Sequence, residues 1–241
     1  MKAHLTLGEH GVLVAQLETG ERILAKNSEK MSQQLHLAGV TTESLTVADW
    51  KTNSDHAPMS GLIMRHFHEM IIFLDFDGVL HPECCESDQL FCRTEPLWQI
   101  LRECPDVQVV FSTSWREVHQ PEELRDFVTH GGGEDLAHRF IGSTPILESS
   151  EHRYKREAEC REWLRINSCE ERPWLALDDT DFWFEGTNLY LVDYRIGLTE
   201  VDVAAIIKKI HIWVLGRMIE ILTNPRGMTW TVNSLAGNLA A

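Results

Sequence analysis

The run Met70-Ile71-Ile72-Phe73-Leu74-Asp75-Phe76-Asp77-Gly78-Val79-Leu80 decides the fold. Its first five residues are apolar without alternation, the pattern of a strand buried on both faces, as a parallel sheet covered by helices requires. Two aspartates two apart follow, and Gly78 lets the chain turn tightly away from the strand. Burying one carboxylate costs free energy, and burying two as neighbours costs more unless a cation offsets them. Packing has no use for such a pair. A Mg²⁺ ion, taking oxygen ligands from carboxylates, water and phosphate, does.

Three more short apolar runs lie C-terminal to it: Val107 to Phe111, Trp174 to Leu177 and Leu189 to Val192. Each is followed closely by Asp, Ser or Thr, at the strand end where open α/β sheets place their ligands. Between the runs, Pro96 to Glu103, Pro121 to His130 and Tyr154 to Ile166 have helical spacing, and Val203 to Leu222 reads as an amphipathic helix on a core. This alternation predicts an α/β domain over residues 70–222.

Upstream, Leu13 to Leu17 and Arg22 to Leu24 flank Glu18-Thr19-Gly20-Glu21, which signals a hairpin. A helix capped by Asn27 or Ser28 and ended near Gly39 should follow, with another short strand at Thr46 to Trp50. Residues 1–50 are thus expected to form a small α+β module. The polar, proline-bearing stretch around Lys51 to Pro58 opens a linker over 51–69, and 223–241 is a C-terminal tail.

The chain of 241 residues carries 22 Lys and Arg against 37 Asp and Glu, a formal charge of −15, so its average surface repels polyanions. Long contacts with nucleic acid are disfavoured, while a local site for one phosphate remains open. The six cysteines form no CxxC pair, and the spacing of His81, Cys84, Cys85 and Cys92 matches no standard zinc site. Reduced thiols, the absence of a signal peptide and the absence of an apolar stretch long enough to span a bilayer predict a cytoplasmic protein without a membrane role.

Three further constellations carry chemistry. Ser112-Thr113-Ser114-Trp115-Arg116 ends the Val107 run in hydroxyls and an arginine, and donors at such a turn can hold phosphoryl oxygens, with Thr113 and Arg116 as substrate contacts. A Ser/Thr cluster there also serves as a helix N-cap. Lys155, at the start of a predicted helix, can neutralise phosphoryl charge, and Arg153 and Arg156 flank it. Asp178-Asp179 closes the third buried run with paired acids, again a metal-site signal.

The order Asp-x-Asp-Gly-Val-Leu, a strand ending in Ser/Thr, a lysine, then a strand ending in Asp-Asp resembles the four motifs of the haloacid dehalogenase (HAD) superfamily. Within it, Ser112 to Arg116, Asp178-Asp179, and Leu191-Val192-Asp193 followed by Gly197-Leu198-Thr199 resemble the HAD domain of Swiss-army-knife RNA repair proteins. The resemblance implies a Rossmannoid parallel sheet with helices on both faces. It also implies an Mg²⁺-dependent phosphoric monoester hydrolase working through an aspartyl-phosphate. In that scheme Asp75 is the nucleophile, Asp77 the acid and base, Ser112 a phosphoryl ligand and Lys155 a charge balance. The metal site draws on the Asp75 carboxylate, the Asp77 backbone carbonyl and the carboxylate of Asp178 or Asp179, with the choice between those two, and between Ser112 and Thr113, left open.

About 26 residues separate Leu80 from Val107 and about 38 separate Arg116 from Lys155, and both spans must hold core helices. Little is left for a cap. An open site suits a large phosphorylated substrate: an RNA or DNA end first, a phosphoprotein as the alternative. The N-terminal module is available to a protein partner. A HAD fold used only for binding or regulation is the competing class.

Overall fold

The computed structural model describes residues 1–8, 12–41, 44–47, 70–148, 152–170, 172–186 and 188–223. The expected linker over 51–69 and the tail beyond residue 223 lie outside the described residues. The chain divides into two compact units, Met1–Pro58 with Leu215–Ala241, and Met59–Val214. The division falls inside the last helix, short of the expected domain end at residue 222.

The first unit contains a four-stranded sheet in the order β3-β2-β1-β4. Its strands are β1 (Ala3–Leu7), β2 (Leu13–Leu17), β3 (Arg22–Ala25) and β4 (Leu45–Val47). The foreseen hairpin is β2 and β3, and β1 adds antiparallel to β2 with Leu5 opposite Ala15. Helix α1 (Ser28–Leu37) leads from β3 towards β4, which pairs parallel to β1. Asn27 is its N-cap, accepting the Lys30 amide at 2.9 Å and so satisfying one of the unpaired N–H groups of the first turn. Leu5, Ala15, Met31 and Leu35 are fully buried.

The second unit is built on a five-stranded sheet, all parallel, in the order β7-β6-β5-β8-β9. β5 (Met70–Leu74) is central, β6 (Val107–Phe111) and β7 (Phe140–Ser143) lie to one side, and β8 (Trp174–Asp178) and β9 (Leu189–Leu191) to the other. β7 was not foreseen. Strand alternation divides the core: Met70, Ile72 and Leu74 join one apolar cluster with Val109, Phe111, Leu175 and Leu177, while Ile71 and Phe73 join another with Val110, Trp174 and Ala176.

Helices α2 (Thr94–Glu103), α3 (Pro121–Thr129) and α5 (Glu200–Thr223) supply Leu97, Leu124 and Val203 to the first cluster. Helix α4 (Lys155–Ile166) supplies Cys160, Trp163 and Leu164 to the second. Both faces are therefore covered, which is why β5 can be apolar at every position. Each fully buried large side chain there contributes about 1.5–3 kcal/mol by leaving water. Among the described residues, the span from Leu80 to Val107 is occupied by a short turn of 3-10 helix and α2, and that from Arg116 to Lys155 by α3, a second 3-10 turn and β7. No cap domain is found in them.

In the loop Gly131-Gly132-Gly133, the last two glycines have a packing role. A Cβ on Gly133 would stand 2.4 Å from the Trp98 indole nitrogen, and one on Gly132 would stand 2.9 Å from the same ring. No described helix is long and apolar enough to cross a membrane.

Candidate active site

The chain runs from β5 to β6 and β7 on one side and returns to β8 and β9 on the other, so the C-terminal ends of β5, β6 and β8 border the point where strand order reverses. Ligands of open α/β sheets bind there. Asp75 follows β5, Ser112 and Thr113 follow β6, and Asp178 ends β8 with Asp179 after it. Parallel pairing of β5 with β8, Leu74 opposite Leu177, brings residues a hundred positions apart to one edge.

Carboxylate oxygens of Asp75, Asp178 and Asp179 all lie within 4.8 Å of one another. Asp75 is 2% exposed and Asp178 not at all. Burial, then the charge of Asp75, pushes the Asp178 carboxyl well above the ordinary carboxylate range, and Arg156 only partly offsets them. Asp179 is raised by the same two causes, burial leading. The cluster offers three carboxylates with the Arg156 guanidinium between two of them, an oxygen-only ligand set that suits a hard divalent cation. The carboxylate of Asp77 is outside this group and is turned to other partners, while the contribution expected of Asp77 to the metal is its backbone carbonyl.

The glycine after the acid pair is required by geometry. Gly78 has φ +70°, and a Cβ there would sit 2.4 Å from the Asp179 Oδ2. The absence of a side chain at Gly78 is what lets Asp179 close onto the strand end.

Asp77 is held by two donors. His81 Nε2 meets its Oδ1 at 3.1 Å, and the Trp115 indole N–H donates to its Oδ2 at 2.9 Å. The hydrogen bond from His81 lowers the Asp77 carboxyl below the usual range most strongly; burial opposes it and Trp115 reinforces it. Neither partner was foreseen in this role, although both stand in quoted runs. Sequence spacing sets His81 beside Cys84, Cys85 and Cys92, but among the described residues no cysteine joins a candidate metal group.

Ser112 is 1% exposed, and its hydroxyl has no hydrogen-bond partner among the described residues. An unpartnered buried hydroxyl costs about 1–3 kcal/mol, and a phosphoryl oxygen would relieve that cost. Thr113 is fully buried, and its hydroxyl oxygen accepts the Trp115 amide at the start of the turn Ser114–Glu117. The N-cap function of this cluster thus falls to Thr113 and leaves Ser112 free.

Arg116 is turned inward. Its guanidinium donates to the carbonyls of Ser112, Thr113 and Thr144 and to Glu159 Oε2 at 2.5 Å, with the Arg116–Glu159 pair almost fully buried. It fastens the loop after β6 to α4 and the end of β7, with four of its five N–H donors given to protein acceptors.

Lys155 Nζ lies 3.7 Å from Glu159 Oε1, with the lysine 21% exposed. The cation that reaches the acid cluster is its neighbour Arg156, whose guanidinium bridges Asp75 and Asp178. Burial disfavours its charge, but the two carboxylates outweigh that and hold Arg156 firmly protonated. One residue further on, buried Glu157 accepts the amides of Glu185 and Gly186 at 2.8 and 2.9 Å and pins the loop after β8. Successive residues of the first turn of α4 thus face the buried Glu159, the acid cluster and the β8 loop.

Residues 71–203 match the family described as the HAD domain in Swiss Army Knife RNA repair proteins. No curated protein and no solved structure gives a match. The superfamily-level activity indicated by such a domain is hydrolysis of the phosphatase type, and the described acid cluster can hold a metal ion. With more than half of its length matched over the strands and loops that carry these side chains, the chain belongs to the family of HAD domains found in Swiss Army Knife RNA repair proteins.

Proposed function

We propose that this protein is a Mg²⁺-dependent phosphatase that hydrolyses a phosphomonoester through an aspartyl-phosphate on Asp75, with a nucleic-acid end as the favoured substrate. The observation that carries it is the convergence of Asp75, Asp178 and Asp179 within 4.8 Å at the end of the central strand. Asp75, Asp178 and Asp179 would hold the metal, which when bound counters the charge of the phosphoryl group.

A carboxylate oxygen of Asp75 attacks phosphorus as the bond to the leaving oxygen breaks, and Asp77 gives that oxygen its proton. Asp77 then takes a proton from water as the water attacks phosphorus, breaking the bond to Asp75 and releasing inorganic phosphate. Ser112 donates its hydroxyl to a phosphoryl oxygen. Charge on the transferring group is balanced from α4, by Arg156 through its position on Asp75 and by Lys155 at the same helix start. Thr113 shapes the loop that presents Ser112, and Arg116 fixes that loop from below.

The short spans after β5 and β6, with no cap domain among the described residues, are what favour a phosphate carried on a large molecule. The net charge of −15 favours contact with few phosphates, as at a chain end, over a long polyanion track. A phosphoprotein is the second substrate class compatible with an open site. Hydrolysis of an aryl phosphate should depend on Mg²⁺ and disappear in Asp75→Asn. A mutant as active as the parent, or an inactive parent across a broad phosphate panel with Mg²⁺ present, would remove the assignment. Phosphate release from 3′- and 5′-phosphorylated RNA and DNA ends, set beside phosphopeptides, decides the substrate class.

A further inference from the structure

We infer that His81 and Trp115 are positioning residues that clamp the two oxygens of the Asp77 carboxylate, one each, and so fix the direction in which Asp77 exchanges a proton with the leaving group. This rests on the reading of Asp77 as the acid of a phosphatase.

The clamp is built from two loops. His81 follows the turn after β5, where Asp77 and His81 form an isolated bridge, and Trp115 lies in the 3-10 turn after β6. Asp77 itself is half-buried, its side chain 40% exposed, while His81 is at 1%. An aspartate this accessible ordinarily rotates about its side-chain bonds; donors on both oxygens remove that freedom. Each oxygen keeps a lone pair that these donors leave unused.

His81 is itself oriented. The Phe91 amide donates to His81 Nδ1 at 3.3 Å, so Nδ1 carries a lone pair and the ring proton sits on Nε2, aimed at Asp77. Phe91 reaches this position with φ +60°, a left-handed conformation that costs a side chain of its size about 1–2 kcal/mol. Its ring recovers part of that cost against Phe76, His81 and Trp115, at centroid distances of 5.3, 5.4 and 5.5 Å. Backbone strain kept at a residue whose amide sets a histidine tautomer is the mark of a constructed site.

The test separates positioning from mere support by the leaving group. Values of kcat/KM stop at formation of the aspartyl-phosphate, and they should be measured for 4-nitrophenyl phosphate and for an unactivated alkyl phosphate. A nitrophenolate departs without a proton, whereas an alkoxide requires one. Trp115→Phe and His81→Leu should lower kcat/KM for the alkyl ester about tenfold or more and for the nitrophenyl ester less than about threefold, since well-placed proton transfer contributes about 10²–10⁴ in rate. His81→Gln, whose amide N–H can stand where Nε2 stood, should recover most of the loss. Thermal melting confirms that each variant is folded.

Equal losses on both esters, or no loss on either, would overturn the clamp while leaving the phosphatase reading intact. A parent protein inactive on both would overturn the two together, and Asp75→Asn run alongside shows that the turnover measured belongs to this site.

Discussion

At the scale of single residues, the site depends on close approaches. Gly78 is the sharpest case, because it has both a left-handed φ and no room for a Cβ beside Asp179. Gly78→Ala is expected to destabilise the protein by about 1–2 kcal/mol from the backbone conformation alone. It should also weaken Mg²⁺ binding at least tenfold by driving Asp179 outward. Melting and a Mg²⁺ titration measure the two effects, and unchanged metal affinity would contradict the close approach. Residue types at the site were legible in the sequence, since acids, hydroxyls and a cation stand at the ends of buried runs. Which of adjacent residues faces the site was not: Lys155 and Arg156 are equally cationic, and only the helical turn, about 100° per residue, decides that Arg156 meets Asp75 and Asp178.

At the scale of elements, apolar runs translate into strands wherever both faces are covered. β5 and β6 occupy the runs identified from sequence, and β8 extends its run by one residue into Asp178. β7 escaped because Phe140-Ile141-Gly142-Ser143 is a short edge strand with Gly142 at φ +150° and a register shift where it meets β6. An edge strand needs apolar character on fewer sides, so composition marks it weakly. The C-terminus of α4 carries a correctable strain. Ser168 takes φ +54° just past the helix, where the Cys169 amide bonds back to the Leu164 carbonyl at 2.9 Å, a cap that glycine usually makes. Ser168→Gly should stabilise the protein by about 0.5–1 kcal/mol, raising the melting temperature by about 1–4 °C. A lower melting temperature would mean that the serine side chain contributes more than its strain costs.

At the scale of the whole molecule, cysteine exposure offers a test of the core that spans several elements. Cys84 and Cys92 are exposed, whereas Cys104, Cys160 and Cys169 are buried. Burial pushes the Cys104 thiol up to about 12 and raises Cys160 well above its usual range, so neither forms the reactive thiolate at neutral pH. Alkylation of the native protein at pH 8 should modify Cys84 and Cys92 first and Cys85 more slowly, its thiol being raised by partial burial. The three core cysteines should react only on unfolding, in parallel with one another. Early labelling of Cys160 would show that α4 leaves the sheet without global unfolding. Sequence alone determined the α/β order of the second unit, the hairpin and helix of the first, and the chemical classes at the strand ends. Those follow from local periodicity and from the cost of burying charge, which neighbouring residues express. Only the tertiary structure decided that Ser112 is left without a partner, that Arg116 is consumed by Glu159 and three carbonyls, and that His81 and Trp115 grip Asp77. These depend on pairing between residues tens of positions apart, where a rotation of one side chain exchanges a structural partner for a catalytic one, and no local pattern records that choice.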